Sequence, residues 1–315
     1  MTWQLSPIVP SENQDQMILK HFLEHHPEAH TAWLSKGRTA PTIEAIAYPD
    51  HEELPTTHST SYVDYEIIWH TDEPPKPLYL PIDQIFAETP YTKCQNSPVK
   101  LGCQIQPHAR NWVGTAGAPV KFLTPDGKTR YGFITNAHVS GQPITPADKQ
   151  IHQPSTNKPP IATTEIFAYP QPKGINTIDV ALCDSKIDDY HHTAWEVLDL
   201  GRPSPHWLDA TPGKPAIKVG RTTGLTRGQC TATNAQSRID YGSFIATFQD
   251  LDVYRATSGL FSAAGDSGSM IFHAETLEPM SLLFAGGGAT TLAIPIRNIA
   301  KTIRLTFDPK EKLSQ

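Results

Sequence analysis

The pattern of hydrophobic and polar positions changes near residue 92 of this 315-residue chain. Before that point, apolar residues recur at helical spacing between Met17 and Leu23, and the preceding Ser11-Glu12-Asn13-Gln14 is typical of a capping box at a helix start. Residues 61–70 have the composition of a strand. From about residue 98, short apolar segments are separated by turns rich in glycine and proline, which predicts a succession of antiparallel strands.

Turn signals divide the second part of the chain into hairpins and loops. Pro125-Asp126-Gly127-Lys128 predicts a hairpin turn. The segment from Gly220 to Gly228 lacks the Gly-Lys-Ser/Thr of a phosphate loop and alternates as two strands around a turn, so it predicts a second hairpin. Residues 141–173, rich in Pro, Thr and Gln, predict a long loop, and the proline-rich residues 72–77 predict a domain boundary or exposed loop. With 29 prolines and 20 glycines, the chain is predicted to be mainly β with an N-terminal mixed α/β extension.

Three short motifs carry residues suited to acyl transfer. Gly265-Asp266-Ser267-Gly268-Ser269 presents a serine between glycines on a tight turn, where its hydroxyl is accessible and nearby backbone N–H groups converge. His138 follows a predicted strand, and an imidazole exchanges protons near neutral pH. Asp179 precedes the apolar run Val180 to Cys183, which draws its carboxylate inward, where an imidazole N–H is a fitting partner. The chain order histidine, aspartate, serine is that of the chymotrypsin type of triad.

On these motifs the sequence resembles the trypsin-like serine proteases of the chymotrypsin fold, also called the PA clan. The matching motifs are TNAHV, DVAL and GDSGS. Two more segments, Leu292 to Ile296 and Val219 to Gly228, are more similar to HtrA/Deg proteases and to the narrow-leaf-type trypsin-like proteins of plants than to digestive trypsins. The resemblance covers roughly residues 95 to 305 and implies a chymotrypsin-like double β-barrel. The implied domains are an accessory module or arm over residues 1–92 and a protease domain over residues 93–308, with a first barrel over about 95–190 and a second over about 213–305.

The resemblance implies a serine endopeptidase that acts on polypeptide substrates and needs no cofactor or metal. Ser267 is then the nucleophile, His138 the general base and Asp179 the residue that orients the imidazole. The alternative is a catalytically inactive pseudoprotease that serves as a peptide-binding scaffold. No acidic residue occupies the position implied for the pocket base, so cleavage after small or medium apolar residues is expected. The backbone N–H groups of Gly265 and Ser267 are the implied oxyanion hole, and Phe261, Phe284, Ala285 and Gly286 are the implied substrate-binding residues.

One departure from the digestive enzymes concerns activation. No Arg-Ile-Val-Gly-Gly site precedes the barrel, so the usual insertion of a fresh N-terminus against Asp266 has no visible source. The site is therefore either formed constitutively, as in HtrA-like enzymes, or ordered by another event. From its position alone, the module of residues 1–92 is a candidate to gate the cleft.

Composition and charge limit the partners and the cellular location that are expected. A net charge of −6 without a Lys/Arg block argues against nucleic acid as a partner, and four cysteines favour reduced thiols, although Cys94 and Cys103 are close enough in sequence to pair. Without a visible signal peptide or membrane span, no membrane partner and a cytoplasmic location are expected, while the oligomeric state stays open. A rival triad could be drawn from the polar linker of residues 184–212, but solvated surface positions are favoured for its Asp184, Asp188, Asp189, His191 and His192. Surface or packing roles are also favoured over a metal site for His21, His25, His26 and His30.

Overall fold

A computed structural model provides the structure of the chain. It describes residues 2–5, 13–35, 40–50, 53–60, 63–84, 88–94, 99–108, 110–142, 145–185 and 193–313. The N-terminal part consists of β1 (Trp3–Gln4), α1 (Gln14–His25), β2 (Ala29–Leu34), β3 (Thr42–Ala47), β4 (Thr57–Ser59), β5 (Asp64–Thr71), β6 (Lys76–Pro77) and β7 (Leu80–Pro81). The middle part consists of β8 (Val99–Leu101), β9 (Gln104–Pro107), β10 (Trp112–Thr115), β11 (Pro119–Leu123), β12 (Thr129–Thr135), α2 (Ala137–Ser140), β13 (Gln150–His152), β14 (Pro160–Ala168), β15 (Ile175–Asn176), β16 (Val180–Asp184) and β17 (Thr193–Val197). The last part consists of β18 (Pro215–Gly220), β19 (Gly224–Asp240), β20 (Ile245–Ala256), β21 (Met270–His273), β22 (Pro279–Gly287), β23 (Thr290–Pro295), α3 (Ile296–Thr302) and β24 (Leu305–Thr306).

The first barrel closes because β10 and β11 each pair with a different neighbour. β10 pairs with β9, and β11, which follows after a short bend, pairs with β12. From β12 the antiparallel ladder continues through β16, β14 and β13 and returns to β9. The predicted hairpin turn at residues 125–128 joins β11 to β12 as expected. The interior of the closed barrel is filled by apolar side chains such as Val120, Phe133 and Leu182.

The second barrel is also a closed antiparallel ring. Its strands follow the order β18, β19, β20, β23, β22 and β21, and β21 pairs back onto β18. Residues 220–228 form the hairpin between β18 and β19, as the sequence predicts. The predicted mainly β double barrel is therefore confirmed by the strand pairing.

The N-terminal extension is joined to the second barrel by backbone pairing. β2 pairs antiparallel with the far end of β19, and β3, β5 and β4 extend the same sheet outward. Helix α1 covers β2, β3 and β5 with Leu19, Phe22 and Leu23. The helix is capped by the Asn13 side chain, which accepts a hydrogen bond from the Gln16 N–H, while Ser11 of the predicted capping box lies outside the described residues. The mixed α/β extension is confirmed, and the domain limits of residues 1–92 and 93–308 stay predictions.

The long loop predicted for residues 141–173 is wrong. β13 and the nine-residue β14 lie in this range and complete the first barrel. A register shift between Thr164 and Ile166 breaks the alternation of buried and exposed positions in β14, and so hides the strand in the sequence. In the described part of the chain, no helix has the length and apolar character needed to cross a membrane.

Candidate active site

The Ser267 turn lies just before β21 and depends on its two glycines. Gly265 has φ +101° and Gly268 has φ +94°, a region that side chains with a Cβ rarely adopt. A Cβ added to Gly268 would lie 2.2 Å from the Thr135 hydroxyl oxygen, so the turn also needs glycine for its close approach to β12. This tight packing fixes the position of the Ser267 hydroxyl.

The structure brings His138, Asp179 and Ser267 together between the two barrels. His138 Nε2 lies 2.8 Å from Ser267 Oγ, and His138 Nδ1 lies 2.5 Å from Asp179 Oδ2. The backbone N–H of His138 also donates to Asp179 Oδ1 at 3.1 Å, which fixes the carboxylate on both oxygens. All three side chains are buried. The short helix α2, which directly follows β12, holds the imidazole in this position.

Tyr241 is a further residue of this site that the sequence analysis missed. Its hydroxyl donates a hydrogen bond to Asp179 Oδ2 at 2.8 Å. Burial, followed by the negative charge of Asp179, raises the pKa of Tyr241 well above 10, so the phenol keeps the proton that it donates. Asn136 Nδ2 donates to the backbone carbonyl of Asp179 at 2.8 Å. Tyr241 follows the end of β19, and no local pattern in the sequence marks its role.

The two predicted oxyanion donors point at one atom. The backbone N–H groups of Gly265 and Ser267 both donate to the carbonyl oxygen of Leu78, at 2.5 and 3.1 Å. A pair of N–H groups converging on one carbonyl oxygen beside a serine hydroxyl is the geometry that stabilises a tetrahedral oxyanion.

Asp266 is paired with a buried lysine. Lys218 Nζ lies 3.0 Å from Asp266 Oδ2, and both side chains are fully buried. Burial lowers the pKa of Lys218, and the attraction of Asp266 opposes that shift. The other contacts of the carboxylate come from the backbone N–H groups of Thr222 and Ala263 and from the Thr223 N–H and hydroxyl. Lys218 thus supplies a buried cation opposite Asp266, the contact for which the sequence showed no source.

The predicted substrate-binding residues lie beside this turn. Phe261 is buried and stacks on Tyr254, with ring centroids 5.9 Å apart. The ring of Phe284 turns into the barrel core against Phe248, so only its backbone faces the cleft. Ala285 and Gly286 present the edge of β22 to the cleft.

The exposed loop predicted for residues 72–77 is wrong for Pro75 and Pro77, which are buried, whereas Glu73 and Lys76 are exposed, and a domain boundary there stays a prediction. Residues 72–82, which we call the cleft segment, cross the cleft between the barrels and carry the short strands β6 and β7. Pro77 and Leu78 are buried. Prolines are compatible with this extended backbone because the segment needs few N–H donors of its own. A surface cavity of about 670 Å³ runs alongside the segment.

The cysteines and histidines are placed as follows. Cys94 and Cys103 form a disulfide, so the expectation of four reduced thiols is wrong, whereas Cys183 and Cys230 are free and buried. Among the described residues, no group of three or more His, Cys, Asp or Glu side chains is arranged to hold a metal ion. The solvated surface position expected for Asp184 is wrong, because this residue ends β16 and its largely buried carboxylate pairs with Arg130, whereas the other singled-out linker residues lie outside the described part. Of the four singled-out histidines, His21 and His26 contact His58, His25 bonds to the carbonyl of His21, and His30 is buried next to Thr31.

No known family model matches the sequence. Protein NARROW LEAF 1 of Oryza sativa subsp. japonica is 27% identical over 243 residues, which cover 67% of this chain and 40% of that protein. The chain therefore spans less than half the length of this curated relative. Among solved structures, a glutamic acid specific serine protease and alpha-lytic protease homolog N4 are each 18% identical with TM-scores of 0.47. The matches cover 66% and 67% of this chain and 99% of each structure. In its two closed barrels and its three motifs, the chain resembles the chymotrypsin-like serine proteases.

Proposed function

We propose that this chain is a serine endopeptidase. The observation that carries the proposal is the continuous contact from Asp179 through His138 to Ser267, with heavy-atom distances of 2.5 and 2.8 Å. In the proposed reaction His138 takes the proton of the Ser267 hydroxyl as its oxygen attacks a peptide carbonyl carbon, and then gives that proton to the leaving amine. Asp179 stabilises the imidazolium that forms between these steps.

The N–H groups of Gly265 and Ser267 stabilise the oxyanion. Their convergence on one carbonyl oxygen supports this role, and removal of one such donor costs about 100- to 1000-fold in turnover in known cases. Water then hydrolyses the acyl-enzyme, with His138 again acting as the base.

We also propose that the enzyme prefers small or medium apolar residues before the scissile bond. We place the specificity pocket at Phe261, which belongs to a buried apolar cluster with Leu78, Tyr254 and Ile271. In hydrolysis of a peptide library, cleavage after leucine is expected to exceed cleavage after lysine or glutamate by roughly 100-fold, because a buried charge has no partner in such a pocket. A preference for glutamate or lysine would contradict this pocket assignment.

Labelling with a fluorophosphonate probe tests the nucleophile. Ser267 lies beneath the cleft segment, so the reaction is measured in the wild type and in Leu78→Asp, which weakens the seating of that segment. The Ser267→Ala exchange is expected to abolish labelling, while Ser140→Ala, a buried serine on α2, is expected to preserve it. Folded protein without Ser267-dependent labelling in either background would instead favour the pseudoprotease alternative.

The proposed partner is a polypeptide substrate. A cytoplasmic location stays a prediction, and the Cys94–Cys103 bond weighs against it because disulfides are rare in reducing compartments. Fractionation of the native protein with thiol trapping tests the location and the bond together.

A further inference from the structure

The cleft segment lies in the candidate active site in the manner of a bound substrate. On one side of Leu78, β6 pairs antiparallel with β22, with Lys76 opposite Gly286 and Pro77 opposite Ala285. The backbone N–H of Leu78 continues this pairing by donating to the Phe284 carbonyl at 3.1 Å. An extended peptide that adds a strand to an exposed sheet edge is a common mode of peptide recognition.

On the other side of Leu78, the same segment binds the first barrel. Leu80 and Pro81 pair antiparallel with Val113 and Trp112 of β10, and the N–H of Ile82 donates to the Asn111 carbonyl at 2.9 Å. The segment is therefore held at both ends, by one barrel before Leu78 and by the other after it. The peptide bond after Leu78 lies where the two barrels meet.

The side chains on either side of that bond occupy distinct places. Leu78 is 9% exposed and belongs to the same buried cluster as Phe261 and Tyr254. Its Cδ1 lies 3.1 Å from the point where a Cβ on Gly286 would stand, so the glycine makes room for this leucine. The next ring along the chain, Tyr79, lies 5.9 Å from the His138 ring between centroids.

The carbonyl group of Leu78 indicates which bond would react. Its oxygen accepts both N–H groups of the proposed oxyanion hole, from Gly265 at 2.5 Å and from Ser267 at 3.1 Å. The carbonyl carbon next to it is the one that the Ser267 hydroxyl would attack.

From this arrangement we infer that the protein cleaves its own chain between Leu78 and Tyr79, an inference that rests on the proposed function. Ser267 Oγ bonds to the Leu78 carbonyl carbon while His138 takes the hydroxyl proton. The Leu78–Tyr79 bond then breaks, and His138 gives that proton to the nitrogen of Tyr79. One water molecule hydrolyses the resulting ester, which restores the Ser267 hydroxyl and leaves a carboxylate on Leu78 and an amine on Tyr79.

Both products are expected to stay together in the folded protein. Residues of β2 pair with β19, and α1 packs on the same sheet, so the upstream product remains part of the second barrel's sheet. Upstream of Leu78, the Asp72 carboxylate accepts from the Ala289 N–H at 3.2 Å and from the Thr290 hydroxyl at 2.6 Å. The mature form would therefore be a nicked protein of two associated chains.

Intact-mass spectrometry of the full-length protein under denaturing conditions tests the inference. Wild type is expected to give fragments of residues 1–78 and 79–315, whereas Ser267→Ala stays whole. Leu78→Asp is expected to be cut roughly 100-fold more slowly, because a carboxylate is poorly accepted among Phe261 and Tyr254. Leu225→Asp, at a leucine that is 40% exposed, serves as the matched control and should be cut like wild type.

Kinetics and labelling separate the outcomes. Cleavage within one molecule is first order, so tenfold dilution should leave its rate constant unchanged, and tagged Ser267→Ala chains mixed with wild type should stay whole. An intact wild-type chain, or cutting at another bond, would overturn the inference. If such a protein still showed Ser267-dependent labelling or peptide hydrolysis, the proposed function would stand. Absence of both activities in wild type and in folded Leu78→Asp would refute the proposed function itself.

Discussion

Replacing Lys218 with methionine removes the cation that faces Asp266 while keeping a long apolar side chain. The two charged groups are 3.0 Å apart and fully buried. At an effective dielectric constant of about 20, their attraction amounts to roughly 5 kcal/mol. Part of this loss is offset because the lysine is no longer desolvated, and the carboxylate keeps hydrogen bonds from Thr222 and Ala263. The expected decrease in the free energy of unfolding is therefore about 3–5 kcal/mol.

Urea denaturation followed by far-ultraviolet circular dichroism measures this decrease. The matched control is Lys128→Met, which breaks a 2.7 Å pair with Asp126 whose side chains are 60% and 39% exposed. That surface pair is expected to contribute less than about 1 kcal/mol. The double variant Lys218→Met/Asp266→Asn should recover more than half of the loss, because no unpaired charge remains buried. A single Lys218→Met variant as stable as the Lys128→Met control would refute the reasoning.

Two other predictions concern hydrogen bonding and acid stability. Tyr241→Phe removes a donor to Asp179, so kcat for peptide hydrolysis should fall about 10- to 100-fold with little change in KM; an unchanged kcat would contradict a positioning role. Burial lowers the pKa of His30 to about 4, only partly opposed by Asp72, so its contribution to stability is complete above pH 6.5 and is lost progressively as the pH falls from 6.5 to 4. The free energy of unfolding is therefore expected to be about 2 kcal/mol lower at pH 5 than at neutral pH from this histidine. Urea titrations of wild type and His30→Gln should differ in acid sensitivity by that amount, and parallel pH profiles would argue against it.

The sequence predicted what local patterns encode. Alternating apolar segments and turn residues indicated the hairpins at 125–128 and 220–228, and the resemblance implied the double barrel that they help to build. The three motifs singled out His138, Asp179 and Ser267, which the structure brings together. These features were accessible because each depends on a few neighbouring residues.

The rest depends on contacts between distant parts of the chain. Tyr241 meets Asp179 only after β19 has crossed the second barrel, so its sequence neighbours do not indicate the contact. Lys218 had a weak signal, because a lysine between Ile217 and Val219 in an apolar strand needs a buried partner, but nothing local identified Asp266. The cleft segment was assigned to the surface because proline-rich composition describes backbone preference and does not describe the edge against which a strand lies.

The Cys94–Cys103 disulfide ties the chain downstream of Tyr79 to the first barrel, at the residue just before β9. An amine released at Tyr79 would therefore stay close to the ester that its departure leaves on Ser267, at an effective concentration on the order of millimolar or higher. Water would have to compete with this tethered amine for the ester, so re-formation of the peptide bond would compete with hydrolysis. Leu80 and Pro81, which pair with β10, hold this amine more directly than the disulfide does, so reduction of the disulfide alone should leave the balance unchanged.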